Sequence, residues 1–172
     1  MTNYVSILKQ ADIFFQFKPD QLGLVANICQ ECSYNTGDII FLEGDHSDEL
    51  YVIVQGDVEI VVNPGLVSPV ISEKEKIGPV TLTTLRRGQS FGEIALVDRG
   101  FRSATARAAQ NNTRLLIIPE TKLTLLCETY PEMGYQLMRN LAADLAFKIR
   151  STDLRIREEL LYSRRKGKEK AN

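Results

Sequence analysis

Residues 88 to 108 read Gly-Gln-Ser-Phe-Gly-Glu-Ile-Ala-Leu-Val-Asp-Arg-Gly-Phe-Arg-Ser-Ala-Thr-Ala-Arg-Ala, which brings a glycine, a carboxylate and an arginine close together in the chain. Gly92 allows the backbone to approach a bound molecule closely. Residues 93 to 96 favour a single helical turn, and the start of such a turn offers free backbone N–H groups to an anion. Arg102 begins an alternating strand, and its planar guanidinium suits phosphate oxygens. We therefore expect Glu93 to accept hydrogen bonds from hydroxyls beside an arginine that holds a phosphate.

Two parts of this stretch resemble a motif of a known family. They are Phe91-Gly92-Glu93-Ile94-Ala95-Leu96 and, farther on, Arg102-Ser103-Ala104-Thr105. Together they closely resemble the phosphate-binding cassette of cyclic nucleotide-binding domains. That family includes the bacterial catabolite activator, the regulatory subunit of the cAMP-dependent kinase and nucleotide-gated channels. Phe101 stands where many members have proline, a change that loosens the turn but removes no ligand contact.

The resemblance implies a role for most residues of the cassette. Glu93 would take the ribose 2′-hydroxyl, and Arg102 would take the exocyclic oxygens of the cyclic phosphate. Backbone N–H groups of Ile94 and Ala95 would share the phosphate with the arginine, and Ser103 would add its hydroxyl. Ala95 and Leu96 would mainly shape the pocket wall, and the predicted ligand-binding set also includes Phe91, Gly92 and Ala104.

The composition excludes several classes of protein. A chain of 172 residues is long enough for a single core, and its apolar runs are all shorter than the ~18 residues of a membrane span. The first residues lack the basic-then-apolar pattern of a secretion signal, so we expect a cytoplasmic protein without a membrane partner. A net charge of −1 argues against a surface that grips nucleic acid throughout.

The titratable residues do not form a recognisable catalytic set. Metal-dependent enzymes with jelly-roll folds need two or three histidines and a carboxylate, and this chain has one histidine, His46. Glu93 has no paired acid or activated nucleophile beside it in the sequence. Cys29 and Cys32 form a lone C-x-x-C, which we interpret as two thiols one helical turn apart. We therefore predict neither an enzyme nor a metal site.

Short strands separated by glycine turns fill the middle of the chain. We interpret the two β-branched runs, 50–54 and 58–62, as a hairpin. Helices flank the strands: Asp20 is the predicted cap of a helix near the amino terminus, and residues 120–129 form another. We predict a mainly β fold, an antiparallel β-roll or jelly-roll barrel with N-terminal helices and a long C-terminal helix. The predicted strands include residues 39–41, 50–54, 58–62 and 80–85.

The long helix should begin at Pro131 and run to about Arg165. We expect an apolar track on this helix to form a parallel homodimer seam, the alternative being that the helix packs entirely on its own barrel. The predicted organisation is a β-roll with N-terminal helices over 1–130, the long helix of the same domain over 131–165, and a flexible basic tail over 166–172. The track consists of Ala142, Leu145, Ile149, Thr152, Ile156 and Glu159.

Thr152 is the candidate contact for the base. A hydroxyl on an apolar track buries less area than Ile or Leu would. In the bacterial activators, a Thr-Ser pair on the long helix meets the adenine from both subunits, and the adjacent hydroxyls in this chain are Ser151 and Thr152. The register is open by one residue, and Thr152 is preferred because it lies on the track; the alternative is a threonine tolerated near an exposed helix end. We expect cAMP as the ligand, with cGMP as the alternative.

The sequence as a whole predicts a stand-alone cyclic nucleotide sensor. Ligand should move the C-terminal helix through an apolar hinge of Leu96, Leu137 and Leu141, and a separate, unidentified protein should respond to the movement. The bacterial activators carry a helix-turn-helix domain after the long helix, so for this chain we expect no sequence-specific DNA binding. The alternative function is a ligand-free scaffold or interaction protein that acts through the helix. The presence of both Glu93 and Arg102 counts against that alternative.

Overall fold

Two four-stranded antiparallel sheets form the β part of the protein. The computed structural model describes residues 4–46, 48–63, 78–94, 97 and 100–169, without the side chains of 159 and 163–169. One sheet has the strand order β1-β8-β3-β6 and the other has the order β2-β7-β4-β5. The predicted antiparallel architecture is confirmed, but among the described strands no ladder closes the two sheets into a barrel. The strands are β1 (Gln30–Tyr34), β2 (Ile39–Phe41), β3 (Glu49–Gln55), β4 (Val58–Val62), β5 (Val80–Leu85), β6 (Ser90–Phe91), β7 (Thr105–Ala108) and β8 (Thr113–Pro119).

The predicted hairpin of β3 and β4 is wrong. Strand β3 pairs with β6 and β8, whereas β4 pairs with β5 and β7, so the two consecutive strands belong to different sheets. The chain crosses between the sheets at Gly56, whose φ is +82°, and a side chain at this position would overlap Thr113. A tight glycine turn between two β-branched runs is common to hairpins and to such crossings, so the sequence pattern did not separate them.

Strand β3 is buried on both faces because it lies between two apolar clusters. Leu50, Val52 and Val54 pack in a cluster with the helices. Tyr51 and Ile53 point to the opposite face and pack in a second cluster with residues of both sheets. The alternation of a strand therefore divides one apolar run between a helix–sheet core and a sheet–sheet core.

Helices cover the outer face of the first sheet. The predicted helix over 120–129 is confirmed, and the long helix begins at Pro131, as predicted, and continues to Glu169. Asp20 is not the cap of the second helix: Lys18 occupies the N-cap position and Pro19 the first helical position. The helical segments are α1 (Tyr4–Leu8), a 3-10 turn (Asp12–Phe14), α2 (Pro19–Ile28), α3 (Glu120–Thr129) and α4 (Pro131–Glu169).

The two N-terminal thiols are not one helical turn apart, as the sequence interpretation held. Cys29 is the C-cap residue of α2, and Cys32 lies in β1. Both are free and half-buried. Strand β1 was not predicted because its residues are mostly polar; it forms by pairing with the apolar strand β8.

Helix α4 has two different halves. In the first half Met133, Leu137 and Leu141 are buried in the helix–sheet core. Asn140 anchors this half, because its side-chain amide donates to the carbonyls of Ile13 at 2.9 Å and Phe15 at 2.8 Å. The second half carries large exposed apolar side chains, so the alternative in which the helix packs entirely on its own sheets does not hold. They are Phe147, Ile149, Leu154, Ile156, Leu160 and Leu161.

Candidate functional site

Arg102 lies between the two sheets, where aromatic rings and backbone groups hold it. Its backbone N–H donates to the carbonyl of Asp45 at 2.8 Å, and its own carbonyl accepts from the N–H of Gly44 at 2.9 Å. The guanidinium carbon lies 4.1 Å from the ring centre of Phe41 on β2 and 5.4 Å from that of Tyr51 on β3. Cation–π attraction of this kind strengthens as the groups are desolvated. The arginine is therefore fixed by strands of both sheets.

Arg102 forms no ion pair within the described residues, although the charges of Asp45, Asp48 and Glu49 act to raise its pKa. Its Nη2 donates to the carbonyl of Glu49 at 3.0 Å, and its Nη1 donates to the carbonyl of Gly92 at 3.3 Å. The third nitrogen, Nε, is buried and has no hydrogen-bond partner among the described residues. Burial lowers the pKa of Arg102, but an arginine stays charged at neutral pH. A buried, charged donor without a partner favours the binding of an anion.

Gly92 is required by both conformation and space. Its φ is +81°, in the left-handed region that side chains rarely adopt. A Cβ at this position would lie 2.5 Å from Nη1 of Arg102 and 3.1 Å from the carbonyl oxygen of Glu49. The backbone therefore approaches the arginine as closely as it does only because residue 92 has no side chain.

Glu93 follows immediately and is nearly fully buried, at 4% exposure. Its carboxylate forms an ion pair with Lys148 of α4, and Lys148 also lies 2.8 Å from a carboxylate oxygen of Asp144. Burial lowers the pKa of Lys148, but the charge of Glu93 and the bonds to both carboxylates outweigh it, so the pKa is raised. The acceptor of the site is therefore engaged by a cation of the long helix.

A family model places the chain among known proteins. The model for the cyclic nucleotide-binding domain matches residues 31–130, more than half of the sequence. The chain belongs to the cyclic nucleotide-binding domain family. The match includes strands β1 to β8 except the first residue of β1, and it covers the whole cassette from Phe91 to Thr105.

Individual relatives agree with this family. The chain is 31% identical over 149 residues to the cyclic AMP receptor protein of Thermus thermophilus, which covers 87% of this chain and 62% of the relative. It is 30% identical over 121 residues to the cAMP-dependent protein kinase regulatory subunit of Schizosaccharomyces pombe, covering 70% of this chain and 25% of that protein. The chain thus spans less than two thirds of either relative.

A solved structure shows the same fold. The N-terminal domain of a transcriptional regulator from Streptomyces coelicolor superposes with a TM-score of 0.68 at 26% identity, covering 83% of this chain and 94% of that domain. In the described residues of the present chain, no group of three or more His, Cys, Asp and Glu is arranged to hold a metal ion. The described helices likewise include none that is long and apolar enough to cross a membrane.

Gly92 contacts Arg102 in the structure, and the other described residues of the predicted cassette differ in burial. Phe91 is buried on β6 and stacks on Tyr51 with ring centres 5.0 Å apart. Ile94 is helical and 38% exposed. Ser103 is exposed, whereas Ala104 is buried. The two remaining predicted residues, Ala95 and Leu96, lie outside the described residues.

Thr152 lies on α4, one helical turn beyond Lys148. It is exposed, and its hydroxyl donates to the carbonyl of Lys148 at 2.9 Å. The neighbouring hydroxyl of Ser151 is half-buried. Since Lys148 contacts Glu93, both hydroxyls lie on the part of the helix that follows the cassette contact.

Sequence reasoning missed the residues that come from distant parts of the chain. Phe41 and Tyr51 form the aromatic surface under Arg102, and Tyr51 donates its hydroxyl to the carboxylate of Glu49. Burial and this hydrogen bond raise the pKa of Tyr51, so its hydroxyl stays protonated. Lys148 was missed because a lysine on a helix is usually solvated, and nothing in its local sequence indicates a partner 55 residues away.

Proposed function

We propose that this chain is a cyclic nucleotide sensor that binds cAMP in preference to cGMP at the cassette of residues 91–104. The observation that carries the proposal is Arg102, a buried guanidinium that forms no ion pair within the described residues and keeps a buried Nε–H without a hydrogen-bond partner there. An anion supplies the missing acceptor. Membership of the cyclic nucleotide-binding family supports a cyclic phosphate as that anion.

Each part of the ligand has a chemically matched group in the proposal. Arg102 binds the exocyclic phosphate oxygens through charge-assisted bonds. The backbone N–H groups of Ile94 and Ala95 and the exposed hydroxyl of Ser103 share the phosphate. Glu93 accepts a hydrogen bond from the ribose 2′-hydroxyl. The role is one of binding and regulation, without catalysis.

The base and the dimer are proposed to meet on the second half of α4. Thr152 is exposed there, and the neighbouring side chains of Ile149 and Ile156 are exposed and apolar. Burying this face against the same face of a second copy would remove apolar area from water and place Thr152 beside the adenine. Homodimerisation through α4 is part of the proposal for this reason.

The signal is proposed to travel as a movement of α4 against the sheets. Leu137 and Leu141 are fully buried and form the fixed end of the helix, and Leu96 completes the proposed hinge. Ligand contact biases the helix between two positions, and a separate protein responds to its position. We propose no sequence-specific DNA contact by these residues.

Thermal unfolding of the full chain tests the proposal. Ligand at 100 times its Kd should stabilise the protein by about 2.7 kcal/mol, which raises the Tm by roughly 5–10 °C. We expect this shift with cAMP, a smaller one with cGMP and none with linear 5′-AMP at the same concentration. An Arg102→Ala variant that is folded and shifts as much as the wild type would contradict the proposed site.

A further inference from the structure

Lys148 connects the long helix to the residue proposed to bind ribose. Its ammonium group forms the ion pair with Glu93, and the same group lies 2.8 Å from Asp144, one turn earlier on α4. The Lys148 side chain is 42% exposed, whereas that of Glu93 is 5% exposed. A half-exposed cation therefore reaches inward from the helix to a buried carboxylate.

The buried carboxylate needs this cation when no ligand is bound. Removing an ionised group from water without a compensating partner is strongly unfavourable, so a buried carboxylate recruits a donor. Lys148 is that donor among the described residues. The two polar halves of the site differ in this respect, because Arg102 retains a free donor while the acceptor of Glu93 is already engaged.

We propose that Lys148 is an intramolecular competitor of the ligand: it pairs with Glu93 and so holds α4 against the cassette, and ribose binding displaces it. This inference rests on the proposed function, because the displacing group is the 2′-hydroxyl of the nucleotide. The ammonium gives a stronger, charge-assisted bond to the carboxylate than a neutral hydroxyl does. Ligand binding therefore has to overcome the Lys148–Glu93 contact.

Asp144 makes the displacement reversible. The Lys148–Asp144 ion pair has the i, i+4 spacing of neighbours on one helix face, so it persists wherever the helix moves. Asp144 itself is half-buried, and its Oδ2, the oxygen 2.8 Å from the Lys148 ammonium, has no other partner among the described residues. When Lys148 leaves Glu93, its charge is still compensated by Asp144. The cation thus alternates between a contact that joins helix to cassette and a contact within the helix.

The release of Lys148 also explains how ligand binding reaches the helix. The first half of α4 is fixed by its buried residues, so a loss of the Lys148 contact acts on the segment that follows Leu141. Farther along, Arg155 donates to the carbonyl of Leu82 at 3.3 Å, a long bond between exposed groups. The contact of Lys148 with Glu93 is the stronger of these two attachments to the β part.

Two measurements on Lys148→Met test the inference, with Arg150→Met as the matched control. Methionine keeps the length and apolar stem of the lysine and removes its charge. Arg150 is exposed on the same helix and has no ion pair within the described chain. The first measurement is hydrogen exchange of residues 141–156 without nucleotide; the second is the Kd for a fluorescent cAMP analogue and its competition by cAMP.

The inference predicts faster exchange of residues 141–156 in Lys148→Met and a Kd about 5-fold lower than in the wild type. Arg150→Met should match the wild type in both, and Lys148→Arg should keep the slow exchange because it keeps the charge. Unchanged exchange in Lys148→Met, or an equal or weaker affinity, would overturn the competitor role. A wild type that binds no cyclic nucleotide would instead refute the proposed function, even if the exchange result held.

Discussion

Arg102 and Glu93 lie nine residues apart in the chain, yet they are held in different ways. Every described contact of Arg102 comes from the β part: Asp45, Glu49 and Gly92 supply carbonyl oxygens, and rings of both sheets cover its face. Glu93 instead pairs with Lys148 on a helix 55 residues away. The half of the site proposed to bind phosphate is thus held by the β part, whereas the half proposed to bind ribose depends on the position of α4.

The largest loss of cAMP affinity should come from removing the Arg102 side chain, which the β part holds in place. Arg102→Ala takes away several charge-assisted bonds of about 1.5–3 kcal/mol each, so cAMP affinity should fall by about 100-fold or more. Arg107→Ala is the matched control, because Arg107 is on the following strand but pairs with Glu59. Equilibrium binding of the fluorescent analogue measures both. A loss of similar size in the two variants would show that the arginine acts through general charge and not through the site.

The next largest effect should come from Gly92→Ala, which disturbs the backbone beside Arg102 without removing the charge of the arginine. In Gly92→Ala the new Cβ meets Nη1 of Arg102 at 2.5 Å and the backbone adopts an unfavourable φ, so stability should fall by about 1–3 kcal/mol. Gly23→Ala is the opposite case, because a Cβ in the middle of α2 meets nothing within 4 Å. It should raise stability by up to about 1 kcal/mol. Urea unfolding compares the two, and a neutral Gly92→Ala would contradict the close approach.

Substitution of Glu93, whose partner lies on α4, should reduce cAMP affinity less than substitution of Arg102. Glu93→Gln keeps an oxygen that can accept a hydrogen bond from the ribose hydroxyl, and it also weakens the contact with Lys148 that we propose opposes binding. We expect affinity for cAMP to fall by about 10-fold or less, clearly less than in Arg102→Ala. If Glu93→Gln is as damaging as Arg102→Ala, the two halves of the site do not differ as described.

The smallest loss of cAMP affinity should come from Thr152, the residue proposed to contact the adenine base. Thr152→Val removes one exposed hydroxyl, so affinity for cAMP should fall by about 3-fold, with less change for cGMP, because the lost partner is the exocyclic amine of adenine. The valine should preserve or strengthen the dimer, as sedimentation velocity can measure. Ser151→Ala decides the register, since only one of the two hydroxyls should matter. Equal losses for both nucleotides, or a monomeric wild type, would remove the base contact and the dimer together.

The contrast between the two halves also explains what the sequence predicts well. The cassette is nearly continuous in the chain, so its glycine, glutamate and arginine are recognisable without knowledge of the fold. Strands 58–62 and 80–85 were predicted with their observed bounds because the pattern of each is local. Strand β1 and the crossing at Gly56 were not, because they depend on which strand pairs with which.

Contacts between distant segments also explain why parts of the site were not predicted from the sequence. Phe41 and Tyr51 are ordinary apolar strand residues until the sheets bring them under Arg102. Lys148 is one charged residue of a helix that carries many, and its reach to Glu93 follows from how α4 packs against the β part. Contacts between distant segments decide the electrostatics of the site, and a single sequence does not encode them in any local pattern.

Isothermal titration of the full chain with cAMP measures directly whether a cyclic nucleotide binds at Arg102. We expect a saturable heat with one site per chain for the wild type and a strongly reduced affinity for Arg102→Ala. Linear 5′-AMP should bind to neither protein, because that nucleotide lacks the cyclic phosphate. A folded wild type that gives no heat with millimolar cAMP or cGMP, and no change in Tm with either, would contradict cyclic nucleotide binding by this chain.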